Sequence, residues 1–167
     1  MGKINLICGP MFSGKTSELY RRYKRYELAG KKCLLIKYSN DNRYNNDKLV
    51  THDNLQYEAI KCSKLKDIQN LIKKYNVICI DEIQFYSDAT EYCDKWANEG
   101  KIIEVCGLNG DYKREPFEQI SLLIPLCDNI THLTAIDKNN GNEAPFTFRL
   151  TISETRNPVD NSKLTKR

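Results

Sequence analysis

Gly9-Pro10-Met11-Phe12-Ser13-Gly14-Lys15-Thr16 is the stretch that decides the fold, because it matches the phosphate-loop pattern G-x-x-x-x-G-K-[ST] at every fixed position. Each part of the pattern has a mechanical task. Glycine lets the backbone curl so that successive N–H groups turn toward phosphate oxygens. Lys15 reaches the β- and γ-phosphates as a mobile positive charge, and Thr16 offers its hydroxyl to Mg²⁺. The helix that follows adds its positive N-terminal end. On average residue usage, a chain of this length meets the pattern by chance about once in a hundred. The flanks lower those odds: Ile4-Asn5-Leu6-Ile7-Cys8 reads as a buried strand, and Glu18 to Leu28 has helical spacing. A ligand-free glycine turn is the competing reading, and the strand–loop–helix context disfavours it.

The chain has 167 residues, which suggests one domain with a small appendage. Its net charge of +4 suits anionic ligands such as nucleotides, but is too diffuse to argue for nucleic acid alone. No apolar run approaches the ~18–20 residues that span a bilayer. The N-terminus passes directly into a strand pattern, so no signal peptide is expected. Seven cysteines are present (Cys8, Cys33, Cys62, Cys79, Cys93, Cys106 and Cys127), and an odd count argues against a complete disulfide framework. Cys8, Cys33, Cys79 and Cys106 sit inside apolar runs, where a free thiol packs as a small hydrophobe. Reduced thiols and a cytoplasmic location are the expectation.

Strand-like runs alternate with helical patterns. Ile4 to Cys8, Lys32 to Lys37, Val77 to Ile80 and Ile102 to Cys106 read as strands, with a short further one at Tyr57 to Ile60. Glu18 to Ala29 reads as a helix stopped by Gly30, and Leu65, Ile68, Leu71 and Ile72 recur as a helix would place them. Asp88 and Glu91 have capping-box spacing ahead of a helix that ends at Gly100. Ser39 to Asp53 is polar and reads as a loop. This alternation implies an α/β fold with a mostly parallel sheet covered on both faces. After about Pro125, Ile130 to Ile136 and Phe146 to Thr151 read as the arms of a hairpin around Asn139-Asn140-Gly141-Asn142. Ile152 to Arg167 is polar and aperiodic.

The chemistry gathers around a second motif. Val77-Ile78-Cys79-Ile80-Asp81-Glu82 is an apolar strand ending in two acids, which it delivers to the carboxyl edge of a parallel sheet where ligands bind. Beside a phosphate loop, Asp81 helps to hold Mg²⁺, and Glu82 is free to act as a base toward a hydroxyl or water. A solvated turn is the bland alternative, weakened by the phosphate loop in the same chain. Arg43 could stabilise charge on a transferring phosphoryl group or form a surface ion pair with Asp41, and spacing alone does not choose. Arg21, Arg22, Lys24 and Arg25 give one helix a basic face interleaved with Tyr20, Tyr23 and Tyr26; a solvated face with tyrosines tucked inward is preferred over nucleic-acid binding. His52 and His132 are isolated, so neither argues for a metal site.

Five segments together form a set. Gly9 to Thr16, Tyr38 to Tyr44, Thr51-His52-Asp53, Asp81-Glu82-Ile83-Gln84-Phe85 and Leu108 to Phe117 occur in the order in which they stand in cellular and poxvirus-like (type II) thymidine kinases. The chain resembles that family over roughly residues 3–151. The resemblance implies a RecA-like phosphate-loop core over 1–128 and a small zinc-bearing domain, which falls on the lasso-like β-hairpin subdomain read over 129–167. It implies transfer of the γ-phosphate of ATP to the 5′-hydroxyl of thymidine, feedback binding of thymidine triphosphate, and assembly as a homotetramer or dimer. Glu82 matches the family's general base, with Lys15 and Arg43 as its catalytic companions. The implied ATP contacts are Gly9, Pro10, Met11, Phe12, Ser13, Gly14, Lys15, Thr16, Asp41, Asn42, Arg43, Asp81, Glu82, Ile83 and Gln84, with Mg²⁺ held through Thr16 and Asp81. The nucleoside side is implied at Met11, Asp41, Glu82, Phe85, Leu108, Tyr112, Phe117 and Thr147.

The chain also departs from the family. The first pair of zinc ligands should fall at positions 137 and 140, where Asp137 and Asn140 stand. The second pair and the base-wrapping tyrosine are not recognisable before Arg167, although Thr147 and Arg149 match. Asn109 replaces an expected Asp, and Ile83 an expected small residue. Zinc is therefore not expected, and ordinary ATP affinity with weak nucleoside selectivity is. Two further readings remain. A nucleotide-binding relative with little kinase activity would bind ATP and yield no phosphorylated nucleoside. An ATP-driven nucleic-acid-binding module would hydrolyse ATP faster with polynucleotide. No membrane partner is expected.

Overall fold

A computed structural model describes residues 1–39, 48–50 and 56–148, with residues 48–50 and 56–58 described by their backbone. Asp41, Asn42, Arg43, His52 and Arg149 lie outside the described residues, as does everything after them to Arg167.

The chain opens with β1 (Lys3–Gly9), whose residues beyond Lys3 are all buried, as expected for a central strand covered on both faces. Helix α1 (Lys15–Leu28) begins after Gly14, held at φ 81°, a left-handed conformation that glycine adopts without a Cβ penalty. It ends in a Schellman motif. Gly30 N–H donates to the Glu27 carbonyl at 2.9 Å and Lys31 N–H to the Tyr26 carbonyl at 3.0 Å, with Gly30 at φ 74°. Strands β2 (Cys33–Tyr38), β3 (Lys48–Val50), β4 (Gln56–Glu58), β5 (Ile60–Cys62), β6 (Val77–Ile80) and β7 (Ile102–Leu108) follow, with helix α2 (Ala89–Asn98) between the last two. Helix α3 (Glu118–Leu123) leads to β8 (Asn129–His132), β9 (Ala135–Ile136) and β10 (Glu143–Ala144).

Six strands form one sheet in the order β5-β2-β6-β7-β1-β8. Every pairing in it is parallel. Strand alternation sends Leu34, Ile36, Ile78, Ile80, Ile103 and Val105 to one face, where Trp96, Tyr92 and Ala89 of α2 and Ile120 and Leu123 of α3 cover them. The opposite face sends Ile7, Leu35, Val77, Cys79 and Cys106 against Leu19 and Tyr20 of α1. The α/β expectation of a mostly parallel sheet is thus met.

Several local expectations are not. The segment expected as a helix around Leu65 to Ile72 is two 3-10 turns, Leu65–Ile68 and Leu71–Lys74. Leu65, Ile68 and Leu71 are spaced by three, which suits three residues per turn as well as an α-helical stripe. Asp88 does not cap α2: its carboxylate accepts from Leu65 N–H at 3.1 Å and Lys66 N–H at 2.9 Å, tying α2 to the first 3-10 turn. The polar stretch expected as loop contains β3, which pairs antiparallel with β4. The first arm of the expected hairpin is divided. β8 joins the main sheet beside β1, and Ala135–Ile136 pairs with Glu143–Ala144 rather than with residues from Phe146 onward.

The basic face of α1 is mostly solvated, as preferred from sequence, with Tyr20 buried. Arg22 is the exception. It reaches inward to Glu104 at 3.0 Å and to Thr131 at 2.8 Å, and Tyr26 O–H donates to the same Glu104, 1% exposed, at 3.0 Å. A cavity of about 510 Å³, lined among others by Lys3, Asn5, Arg22, Arg25, Tyr26 and Glu104, opens beside this cluster between α1 and the strands β1, β7 and β8.

Glu18 sits between Arg21 and Arg22, at 2.6 and 2.8 Å, and the hydrogen bond from Arg21 leads the effects that hold its carboxyl at about 2 against an ordinary 4.5. A carboxyl lowered on folding stabilises fully above its unfolded value, and that contribution is lost as pH falls toward the folded one. Glu18→Gln is expected to lower the urea midpoint at pH 6, with the gap to the parent narrowing as pH drops from 4.5 toward 3. A gap independent of pH in paired urea melts would assign the effect to packing.

Candidate active site

The Gly9–Thr16 loop and the two acids meet at the carboxyl edge of the sheet. β1 runs into Gly9 and β6 into Asp81. Their common neighbour β7 sets the spacing, with Ile7 opposite Cys106 and Ile80 opposite Val105. Thr16, in the first turn of α1, donates its hydroxyl to Asp81 Oδ1 at 3.2 Å and approaches Oδ2 at 3.4 Å. Lys15 Nζ crosses the loop to donate to the Pro10 carbonyl at 2.6 Å, and Ser13 Oγ–H does so at 2.9 Å. The first N–H groups of a helix have no partner within it, and such an end suits an anion. Phe12 is half exposed at φ 63°, an uncommon conformation for an aromatic residue that marks the loop as locally strained.

Glu82 is also left-handed, at φ 53°. It is held from two sides: its N–H donates to Asp81 Oδ1 at 3.0 Å, and its carboxylate accepts from Gln84 Nε2 at 2.6 Å. Gln84 is buried and its Oε1 accepts from Leu108 N–H at 3.2 Å. A chain of hydrogen bonds therefore runs from β7 through Gln84 to Glu82. Gly107 makes it fit, because a Cβ there would lie 2.5 Å from Gln84 Oε1 and 2.9 Å from Ile83 Cγ2. Gly107→Ala is expected to push Gln84 off Leu108 and cut turnover by about ten- to a hundredfold, the scale of a small misplacement of a catalytic group. ATP affinity should barely change. An equal loss in ATP affinity, read by calorimetry beside steady-state rates, would assign the effect to the loop instead.

Among the residues expected on the nucleoside side, Thr147 Oγ1 accepts from Met11 N–H at 3.0 Å, so the end of the described chain touches the Gly9–Thr16 loop. Leu108 is buried, Phe85 stacks against Tyr38 with ring centroids 5.3 Å apart, and Phe117 packs against the core. Tyr112 is half-buried in the loop after β7. Asp111 shapes this loop by accepting from Lys113 N–H at 2.8 Å and Glu115 N–H at 2.9 Å. Ile83 is fully buried in the core, which leaves its backbone as the part that can meet a ligand.

Three residues here have no counterpart in the sequence reading. Lys37, next to last in β2, is 1% exposed and lies one residue beyond the Ile36–Ile80 pairing, level with Asp81. A lysine closing an apolar run is the signal that could have marked it. Cys106 donates to Asp81 Oδ1 at 2.8 Å. Burial first, and the Asp81 charge next, push that thiol well above its ordinary range, so it stays protonated and remains a donor. Glu104 in a buried strand, with its Arg22 and Tyr26 partners, is the third.

At positions 137 and 140 the structure shows a turn. Asp137 is buried, and its carboxylate accepts from Asn139 N–H at 2.8 Å and Asn139 Nδ2 at 3.1 Å. Asp137 N–H donates to the Asn142 carbonyl and Gly141 N–H to the Asp137 carbonyl, both at 2.8 Å. Among the described residues no group of three or more His, Cys, Asp and Glu side chains is placed to hold a metal ion, and no helix is long and apolar enough to cross a membrane. All seven cysteines are free thiols.

A family model described as thymidine kinase matches residues 2–163. The chain is 50% identical over 149 residues to the thymidine kinase of Vaccinia virus (strain Ankara), covering 89% of this chain and 84% of that protein. It is 49% identical over 149 residues to the thymidine kinase of Monkeypox virus, with the same coverage. It is 48% identical over 157 residues to thymidine kinase 1 of Dictyostelium discoideum, covering 92% of this chain and 69% of that protein.

Proposed function

The chain belongs to the thymidine kinase family, and on that premise we propose that it transfers the γ-phosphate of ATP to the 5′-hydroxyl of thymidine. The observation that carries this reading is the contact of the phosphate loop with the first of two adjacent acids, Thr16 with Asp81, while the second, Glu82, is held by Gln84. The donor set fits a hard cation, since a threonine hydroxyl and a carboxylate are the oxygen ligands Mg²⁺ takes beside substrate phosphates. Thr16 and Asp81 would hold it, and when bound it neutralises charge on the β- and γ-phosphate oxygens.

The chain's own groups do the rest. The backbone N–H groups of Gly9 to Thr16 orient the phosphates, and Lys15 adds a full positive charge that follows the transferring group. Glu82 accepts the proton of the 5′-hydroxyl as that oxygen attacks the γ-phosphorus. The bond between the γ-phosphorus and the β–γ bridging oxygen breaks, and ADP leaves with the electron pair. Asp41, Asn42 and Arg43 complete the ATP contacts in this reading, with Arg43 set against charge on the transferring group. Met11, Phe85, Leu108, Tyr112, Phe117 and Thr147 line the nucleoside side, supported by the Met11–Thr147 and Leu108–Gln84 bonds. A RecA-like core, a cytoplasmic homo-oligomer and feedback binding of thymidine triphosphate belong to the same reading and rest on the family resemblance, whereas a small C-terminal subdomain without zinc rests on the departure from the family at Asp137 and Asn140.

Radiolabelled phosphate transfer across a panel of deoxynucleosides tests the proposal, with thymidine monophosphate as the expected product. ATP binding without any phosphorylated nucleoside would replace the kinase with a nucleotide sensor. ATP hydrolysis stimulated by polynucleotide would replace it with a nucleic-acid motor.

The residues at positions 137 and 140 do not fit a structural zinc site. Such sites take four Cys or His ligands, whereas Asp137 is engaged with the backbone and side chain of its own turn. Elemental analysis of the purified protein is expected to find no stoichiometric zinc. About one zinc per chain, on the four-ligand rule, would reject this.

A further inference from the structure

Cys106 lies on β7, 1% exposed, on the face that α1 covers. Ile80 pairs with Val105 in the parallel ladder, so the next residues, Asp81 and Cys106, stand side by side at the sheet edge. The thiol donates to Asp81 Oδ1 at 2.8 Å. The same oxygen accepts from Glu82 N–H at 3.0 Å and Thr16 Oγ1 at 3.2 Å, while Oδ2 lies 3.4 Å from Thr16 Oγ1. A carboxylate held at one oxygen by donors from β7, from the turn after β6 and from α1 cannot rotate freely about its Cβ–Cγ bond, and both of its oxygens are kept beside the Thr16 hydroxyl.

We propose that Cys106 is a positioning residue: its S–H fixes the Asp81 carboxylate in the orientation that receives the divalent cation of the nucleotide. This rests on the reading of Asp81 as a holder of that cation. The competing reading is that Cys106 is a small apolar filler, as buried thiols often are. The two differ in what serine and alanine do. A serine hydroxyl keeps a donor of similar reach, and alanine removes the donor. Filler chemistry favours the apolar alanine over the buried hydroxyl.

The test uses the full chain loaded with ADP, with Mn²⁺ as a paramagnetic probe titrated by electron paramagnetic resonance. Cys106→Ala is expected to weaken Mn²⁺ binding about three- to tenfold, below the usual worth of a bond to a charged group because S–H is a weak donor. Cys106→Ser should stay within about twofold of the parent, since the donor is retained. In assays, Cys106→Ala should raise the Mg²⁺ concentration for half-maximal rate while KM for thymidine holds. Thermal unfolding without metal checks that both variants fold, and Asp81→Asn serves as the reference for loss of the ligand itself. If Asp81→Asn weakens Mn²⁺ and Cys106→Ala does not, the positioning role is overturned while the Asp81 reading stands. If serine is as weak as alanine, the effect is packing and the role is overturned. If Asp81→Asn binds Mn²⁺ like the parent, the Asp81 reading falls and takes this inference with it.

Discussion

Lys15→Ala is expected to lower turnover by at least about 10²–10³-fold, the loss seen when one preorganised donor to a developing charge is removed. Backbone N–H groups supply partial charges to the loop, whereas Lys15 brings a full one on a side chain long enough to follow the phosphoryl group. Its bond to the Pro10 carbonyl spans the loop at 2.6 Å, so the ammonium already sits over the curl. Removing the side chain should leave the fold intact, because Lys15 is only half-buried and belongs to neither face of the core. Single-turnover phosphate transfer measures the effect directly. A variant with near-parental turnover would mean that Gly9 to Thr16 is a structural turn and that the phosphates bind elsewhere.

Glu82→Gln should be comparably severe but different in kind. The amide preserves shape and removes basicity, so turnover is expected to fall about 10²–10⁴-fold, the usual worth of a positioned general base. ATP binding should persist, since Lys15, Thr16 and Asp81 are untouched. The Gln84 contact gives a control. Gln84 Nε2 donates to the Glu82 carboxylate at 2.6 Å, and a glutamine amide oxygen at position 82 can still accept it, so gross displacement is not expected. Rates and calorimetric ATP affinities measured on the same preparation separate the outcomes. Weakened ATP binding with turnover unchanged would make Glu82 a binding residue.

The parts of this site that are legible in sequence are those whose logic is contiguous. Gly9 to Thr16 is a single curl followed by its helix, and Asp81-Glu82 closes a four-residue apolar strand, so local pattern and chemistry coincide. The alternation of strands and helices likewise announces a parallel sheet. What sequence does not disclose depends on partners far along the chain. Asp88 has the spacing of a helix cap, but its oxygens go to backbone 22 and 23 residues away. Cys106 reads as one more apolar residue until the ladder sets it beside Asp81, 25 positions earlier. Ile130 to Ile136 has the composition of one extended arm, yet two different strands, β1 and β10, claim its ends. Pattern arguments assign a period to a segment but cannot say which neighbour will satisfy its backbone.

The position of β1 in the sheet has a consequence for how the molecule comes into being. Among the described strands β1 is made before the others, and both its neighbours, β7 and β8, come from the later part of the described chain. Ile7 must wait for Cys106 and Thr131 before either edge of its backbone is paired. At about 5–20 residues per second, roughly a hundred residues of synthesis take on the order of 5–20 s, during which an apolar strand with two open edges is available to other chains. The bond from Met11 N–H to Thr147 Oγ1 forms later still, because its partner lies 136 residues on. The nascent chain's dependence on chaperones should be concentrated before β7 emerges, and should ease once β7 docks between β6 and β1.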